Sequence, residues 1–195
     1  MTTAHKPKLA KPGAGLPFVE WAVAKYIIFP QRFKNASKQS AIAEFASESA
    51  EIVRLAKSLS PEQQVERRLI RRLRGLEDSS RYWSVAMTLD HLSIVGSATT
   101  DLIVGLSTGK SGFKIIGTAD VKPDVVDDPM LALTRFEQMT TQFLEAVTPL
   151  SFDPDSTVKH PHPWFGPLNA YQWLVFAAPH QNIHRQQIAA IIALL

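Results

Sequence analysis

The chain has 195 residues, enough for one ordinary domain with a hydrophobic core. Hydrophobic residues make up 45 % and charged residues 20 %, which is typical of globular proteins and not of disordered ones. There is no cysteine, so disulfides, thiolate nucleophiles and sulfur-ligated zinc are excluded, and only nitrogen and oxygen ligands remain for a metal. The net charge of +3 is too small to indicate a nucleic-acid partner by itself.

The N-terminal part of the sequence divides into a polar and an apolar stretch. Residues 1–15 mix lysines and His5 with Pro, Ala and Gly, and we predict a flexible leader there. Residues 16–30 are apolar, but Glu20 and Lys25 interrupt them, so a membrane span is not expected and the protein is predicted to be cytoplasmic. This stretch instead predicts an amphipathic helix whose apolar side carries Phe18, Ala22, Tyr26 and Phe29.

Apolar residues recur at helical spacing along most of the rest of the chain, and the helix ends are marked. Four long helices are predicted, over about 40–59, 84–106, 128–148 and 169–195, with Ser84, Asp128 and Asn169 as N-caps. A shorter helix is predicted from the Ser60–Gln63 capping box to Gly75.

Two connections between these helices are long, at 107–127 and 148–168, and the first contains a possible short extended piece at 113–118. Long crossovers are compatible with a four-helix bundle whose topology is not simply up and down. The expected fold is therefore an all-α four-helix bundle, one domain over residues 16–195, with additional N-terminal helical segments and long crossover loops.

Three of the six histidines interrupt apolar helix faces. His180 and His184 are four residues apart, so they project from the same face, which also carries Trp173 and Ile188. His91 interrupts a similar stripe on the helix at 84–106. A buried, unpaired ring nitrogen costs about 1–3 kcal/mol, so these rings need partners. A divalent-metal site with open positions supplies them, and the alternative is that they are hydrogen-bonded core histidines.

The segment His180-Gln-Asn-Ile-His184 is not the zinc-protease motif, because the glutamate that serves as general base in that motif is missing. Neutral imidazole suits Zn, Ni, Fe or Cu, and the spacing does not choose among them.

Two stretches resemble the DinB-like (DinB/YfiT) family of four-helix bundles: Trp83-Ser84 with Leu89-Asp90-His91-Leu92, and His162-Pro-Trp-Phe-Gly-Pro-Leu168 leading to the last helix. The resemblance covers roughly residues 39–195. It implies that His91, His180 and His184 bind a divalent metal, and it is compatible with a homodimer. It implies two chemistries, activation of a low-molecular-weight thiol for transfer or isomerisation, and metal-dependent hydrolysis.

No general acid or base is obvious beside the three histidines. Asp90, Glu48 and Glu51 are candidates, and each could simply be solvated. Gln187, one turn beyond His184, is a plausible partner of a ligand, and His162 and Trp173 are candidates for the surrounding pocket. The missing base keeps open a metal-stabilised bundle that binds a ligand or partner without catalysis.

An arginine-rich segment offers a third hypothesis, nucleic-acid binding. On a helix running to Gly75, the five arginines between Arg67 and Arg74 form a basic face opposite Leu69, Leu73 and Leu76. No aromatic residues are interleaved, and Glu62, Glu66, Glu77 and Asp78 flank the segment. A solvated or salt-bridged face is therefore the favoured interpretation, and a nucleic-acid partner is not expected. The five residues are Arg67, Arg68, Arg71, Arg72 and Arg74.

Overall fold

A computed structural model describes residues 7–195, so residues 1–6 of the predicted leader, with His5, lie outside the described residues, and residues 7–15 form no helix or strand. Helices cover 59 % of the chain and strands 6 %, which confirms the all-α prediction. In chain order the elements are α1 Phe18–Val23, a π-helical turn Ala24–Ile28, α2 Phe29–Asn35, α3 Lys38–Lys57, α4 Pro61–Val65, β1 Arg68–Leu69, a 3₁₀ turn Asp78–Ser80, β2 Tyr82–Trp83, α5 Val85–Ser107, α6 Pro129–Val147, β3 Lys159–His162, β4 Gly166–Asn169 and α7 Ala170–Ile192.

The four long helices α3, α5, α6 and α7 form the bundle, with α5 and α3 each packed against α6 and α7. Their starts follow the sequence signals: Ser84 and Asp128 accept hydrogen bonds from backbone N–H groups of the first turn, and Asn169 forms a full capping box with Gln172. Each cap satisfies N–H groups that have no partner within the helix. The four predicted long helices are therefore confirmed to within a few residues.

The core lies between the predicted apolar stripes of these helices. Phe45 of α3 stacks on Phe143 of α6 with ring centroids 3.9 Å apart. Gly96 lets α5 approach α6 closely, because a Cβ atom there would lie 2.2 Å from Met139 Sδ. All five residues predicted to face inward on α6 are buried, namely Ala132, Phe136, Met139, Phe143 and Val147.

The prediction of a helix from Ser60 to Gly75 is wrong. The Ser60–Gln63 capping box is present, but α4 ends at Val65. The chain then becomes extended and β1 pairs antiparallel with β2, where Leu69 is opposite Tyr82. Ile70 next to this pairing is only 1 % exposed. Burial of Ile70 and pairing with β2 therefore outweigh the helical spacing of the leucines.

The arginines consequently do not share a helix face. Arg67 donates to the Tyr82 carbonyl oxygen and stacks over the Tyr82 ring, and Arg68 pairs with Glu66. Arg72 pairs with Glu20 and is partly buried. The predicted basic face is thus replaced by an irregular segment with two exposed arginines, Arg71 and Arg74.

The first long connection has less regular structure than expected, and the second has more. Residues 113–118 form no strand. The Pro- and His-rich connection before α7 instead contains a hairpin, in which β3 pairs antiparallel with β4 and His162 lies opposite Gly166. Gly166 has a positive φ of 86°, a conformation that glycine adopts at little cost. The hairpin therefore enters α7 directly and places His162 close to its first turns.

The N-terminal helical segment, residues 18–35, differs from the prediction in what it buries. A π-helical turn accommodates an extra residue, so the expected apolar side is not maintained along it. Phe29 is 9 % exposed, whereas Phe18 and Tyr26 are 76 % and 64 % exposed. No helix within residues 7–195 is both long and apolar enough to cross a membrane.

Glu20 anchors this segment to the bundle. Its carboxylate forms a two-oxygen interaction with Arg72 and also accepts the Gly75 N–H. Arg72 in turn donates to the carbonyl oxygens of Leu73 and Leu76. Burial alone would raise the pKa of Glu20, but the hydrogen bonds from Arg72 and Gly75 and the arginine charge lower it overall. The anion is thus the form that holds the segment in place.

We expect Glu20→Gln to lower the free energy of unfolding at pH 7 by about 1–2 kcal/mol, because charge-assisted hydrogen bonds are lost. A carboxyl with a lowered pKa stabilises the fold above its unfolded pKa, near 4.5, and this stabilisation is lost as the pH falls through the folded pKa. The difference between wild type and variant in urea unfolding should therefore stay constant from pH 7 to about pH 5 and shrink as the pH falls below 4.5. Glu51→Gln, which removes an exposed pair with Arg54 on one helix, is the control and should cost less. Equal effects of the two variants would contradict the anchoring role.

Candidate metal centre

The rings of His91, His180 and His184 meet between α5 and α7. One nitrogen from each ring lies within 4.8 Å of the others, and this group contains no carboxylate among the residues described. Ring centroids are 4.6 Å apart for His91 and His184, 4.7 Å for His180 and His184, and 5.4 Å for His91 and His180.

A backbone carbonyl fixes the orientation of His91. Its Nδ1 lies 2.7 Å from the carbonyl oxygen of Val121, which can only accept, so Nδ1–H is the donor. The lone pair of a neutral His91 is therefore on Nε2, the other side of the ring. Val121 belongs to the crossover between α5 and α6, so this connection orients the ring of His91, one of the three histidines of the candidate site.

A chain of two hydrogen bonds orients His184 in the same way. The amide nitrogen of Gln187 donates to the Ser80 carbonyl oxygen at 2.8 Å, so its amide oxygen faces His184. That oxygen lies 2.7 Å from His184 Nδ1, which must donate. His184 also presents Nε2 as its lone pair. Gln187 is fully buried and thus lies where the sequence placed a partner of a metal ligand.

The three rings are neutral at physiological pH. Burial lowers the pKa of His91 to about 4, partly opposed by its hydrogen bond to Val121. Burial, together with His91 and His162 nearby, lowers the pKa of His180 to about 3. The pKa of His184 is held well below its usual value of 6.5, by burial and by the other two rings. Neutral imidazole is the form that binds transition metals, so the donor set fits a divalent ion such as Zn, Ni or Fe.

The histidine group lies in the wall of a cavity of 1290 Å³. Trp83 packs beside two of the histidines, 5.1 Å from His91 and nearly parallel to His184 at 6.2 Å. Trp173 and His162, both expected in a pocket, line this cavity, and their ring centroids are 5.2 Å apart. The backbone N–H of Trp164 donates to His162 Nδ1. Burial lowers the pKa of His162 to about 3. His162 is therefore a neutral ring that carries its proton on Nε2.

The acidic residues proposed as bases are engaged elsewhere. Glu48 accepts hydrogen bonds from Asn182 and Arg185. Glu51 pairs with Arg54, and Asp90 faces Arg135 at 4.0 Å. None of the three lines the cavity. His160 does line it, against Phe113 and Trp173. The structure thus brings the three histidines together with Gln187, His162 and Trp173, and within residues 7–195 no carboxylate belongs to that histidine group. Four carboxylates do line the cavity, those of Glu20, Glu44, Glu77 and Asp101. The first three are engaged by Arg72, Arg32 and Ser79.

Three contributors to the site were missed from the sequence. The carbonyl oxygens of Val121 and Ser80 carry no side-chain signal, because any residue supplies one. Trp83 was quoted only as part of the family pattern, although a large aromatic residue directly before a capping serine and eight residues before His91 could have been assigned to the pocket.

Comparison with known proteins identifies the family. The model of the DinB superfamily matches residues 44–188. The chain belongs to the DinB superfamily. Among solved structures, TT2238, described as a four-helix bundle protein, is 19 % identical with a TM-score of 0.57, covering 79 % of this chain and 98 % of that one. The colibactin self-resistance protein ClbS, solved in complex with a dsDNA, is 17 % identical with a TM-score of 0.55, covering 81 % of this chain and 95 % of that one.

These two structural similarities establish the four-helix-bundle fold. A comparison with curated protein sequences found no match. Membership of the superfamily and the bundle fold therefore agree with the resemblance seen in the sequence, and the chemistry has to be argued from the site.

We expect Gln187→Leu to weaken metal binding about 10–100-fold, because the His184 ring loses the acceptor that fixes its tautomer and orientation. Affinity is measured by competition for Zn²⁺ with a chromophoric chelator, and circular dichroism checks that the helices are retained. The matched control is Gln186→Leu, since Gln186 is exposed and bonds only to Asn182 of its own helix. An unchanged affinity in the folded Gln187 variant would show that this amide does not support the site.

Proposed function

We propose that this DinB-superfamily protein is a metal-dependent enzyme that activates a thiol for small-molecule transfer. The observation that carries the proposal is the set of three neutral imidazoles in the wall of a large cavity, two of them hydrogen-bonded so that Nε2 is free. His91, His180 and His184 would hold a divalent transition metal. Three protein ligands leave at least one coordination position for a substrate or water.

When bound, the metal would supply Lewis acidity, which lowers the pKa of a ligand such as a thiol or water. The chain's own residues supply orientation and exclusion of water. Gln187 and Val121 hold two rings in place, and Trp83 covers them on one side. His162 carries a proton on Nε2 and stays neutral, so it can donate a hydrogen bond to a substrate but cannot supply a positive charge.

Thiol activation is preferred to hydrolysis because, in the part of the chain that the structure describes, no carboxylate belongs to the histidine group, and three of the four that line the cavity are engaged by other side chains. Hydrolytic metal sites commonly use a carboxylate as general base towards water, as in the zinc-protease motif. A thiol is intrinsically more acidic than water, so a lowered pKa alone produces the nucleophile near neutral pH. Hydrolysis remains the alternative chemistry, and a metal-stabilised ligand-binding bundle is the non-catalytic alternative.

The absence of cysteine makes a direct test possible. The protein is loaded with Co²⁺, its metal content is measured by elemental analysis, and a low-molecular-weight thiol such as 2-mercaptoethanol is titrated in. We expect about one metal per chain and a new sulfur-to-cobalt charge-transfer absorption. The chain itself has no sulfur ligand of the thiolate type, so this band can come only from the added thiol.

His91→Ala is the control for this titration and should lose both the metal and the band while the bundle stays folded, because its core does not depend on the ion. One metal per chain without a thiol band would favour hydrolysis or ligand binding. No metal in the wild type after incubation with Zn, Ni and Co would identify the three histidines as core residues and remove the catalytic proposal.

Nucleic-acid binding is the second candidate function. The observation in its favour is that ClbS, one of the structural neighbours reported above, was solved in complex with a dsDNA. In this chain Arg71 and Arg74 are the exposed arginines of the basic segment, and neither forms an ion pair within residues 7–195. They lie on one irregular stretch and could contact phosphates.

Under this second function, binding of a labelled duplex should weaken steeply with salt, and Arg71→Glu with Arg74→Glu should reduce affinity at least tenfold and lower the salt slope by about 2. The control reverses the same amount of charge on α3, with Arg54→Glu and Lys57→Glu, both exposed. Equal losses in the two double variants would reduce the effect to net charge, and no binding at 50 mM salt would remove the candidate.

A further inference from the structure

We infer that the N-terminal segment, residues 16–35, forms one wall of the substrate cavity and selects a substrate with a large apolar body. The inference deepens the proposed function and rests on it for the position of the reacting end, at the three histidines. The segment precedes residues 44–188 and so lies outside the part of the chain that the superfamily model matches.

The segment contributes directly to the cavity lining. Val19, Val23 and Ile28 line it, and they are 72 %, 40 % and 51 % exposed. The crossover between α5 and α6 also contributes to the lining, with Phe113 and Ile116. Phe113 is held against α5, since a Cβ atom on Gly105 would lie 2.2 Å from Phe113 Cζ.

An aromatic cluster connects this wall to a metal-ligand candidate. Phe29 lies 4.7 Å from Phe165 and 5.1 Å from Phe176, measured between ring centroids. Phe176 is one turn before His180 on α7, and their rings are 6.5 Å apart. The indole N–H of Trp21 also donates to the Trp164 carbonyl oxygen at 2.7 Å. With the Glu20–Arg72 pair, these contacts fix the wall relative to the histidines.

The size and lining of the cavity indicate what fills it. A cavity of 1290 Å³ exceeds the range of about 300–1,000 Å³ that is usual for drug-sized ligands. A thiol of a few heavy atoms would occupy a small part of it. The exposed aliphatic residues at its edge gain free energy when an apolar group covers them, about fourfold in affinity for each buried methylene. The structure thus fits a molecule whose polar end reaches the histidines and whose apolar body lies along the N-terminal segment.

The test uses N-phenyl-1-naphthylamine, a neutral apolar dye whose fluorescence rises on leaving water, titrated into the full-length protein. Wild type should show saturable binding with about one site per chain. Ile28→Glu and Val23→Glu should each weaken it at least tenfold, because the entering dye must desolvate a carboxylate in the wall. Ile27→Glu is the matched control: Ile27 is 51 % exposed like its neighbour Ile28 but does not line the cavity, so dye affinity should stay within about threefold.

Each outcome separates this inference from the metal proposal. Wild-type protein treated with a chelator to remove metal should bind the dye within about threefold of the metal-loaded protein, so a failure of the metal site leaves the dye result readable. Absence of saturable binding, or equal weakening in the Ile27 and Ile28 variants, would overturn the inference. If the Ile27 and Ile28 variants also convert a dimer into monomers in light-scattering measurements, the surface of the N-terminal segment is an interface between copies of the chain. The inference is then likewise wrong.

Discussion

The structure depends on how the protein accommodates three imidazole rings in one place within its interior. A buried ring nitrogen without a partner destabilises the fold, and three protonated rings at this distance would repel each other. Two of the rings, those of His91 and His184, donate Nδ1–H to fixed oxygens of Val121 and Gln187. Their Nε2 lone pairs are therefore directed away from those partners. The result is a neutral, electron-rich group, because burial lowers the pKa of all three rings. A cation is the natural complement of such a group.

Much of this arrangement could be predicted from the sequence, for identifiable reasons. Helix faces repeat every three to four residues, so His180 and His184 had to share a face with Trp173, and His91 had to point inward with its neighbours on α5. Capping residues marked where α5, α6 and α7 begin. The family resemblance implied that the three histidines serve one metal site together, which spacing alone does not determine. Whether an ion binds there stays a prediction.

The remaining features depended on tertiary contacts that local sequence does not encode. The helix expected to reach Gly75 ended at Val65, because pairing with β2 and the burial of Ile70 overrode the helical spacing of three leucines. The π-helical turn rotated the N-terminal residues away from their expected face, so that Tyr26 is exposed and Phe29 is buried. Arg72 found its partner 52 residues away, in Glu20. Because of this long-range pairing, Arg72 supports the cavity wall and is not part of a basic surface.

The bond between His91 and the Val121 carbonyl oxygen has a further consequence, since Val121 lies in the long crossover between α5 and α6. A ring that is locked by coordination holds that carbonyl more firmly, and an ordered crossover in turn pre-positions the ring. Occupancy of the histidines and order in residues 108–128 are therefore thermodynamically linked, and each must favour the other by the same free energy. Because Phe113 and Ile116 of this crossover also line the cavity, the linkage extends to whatever lies against them. Cation and apolar ligand would then bind with positive cooperativity, through a loop that touches both.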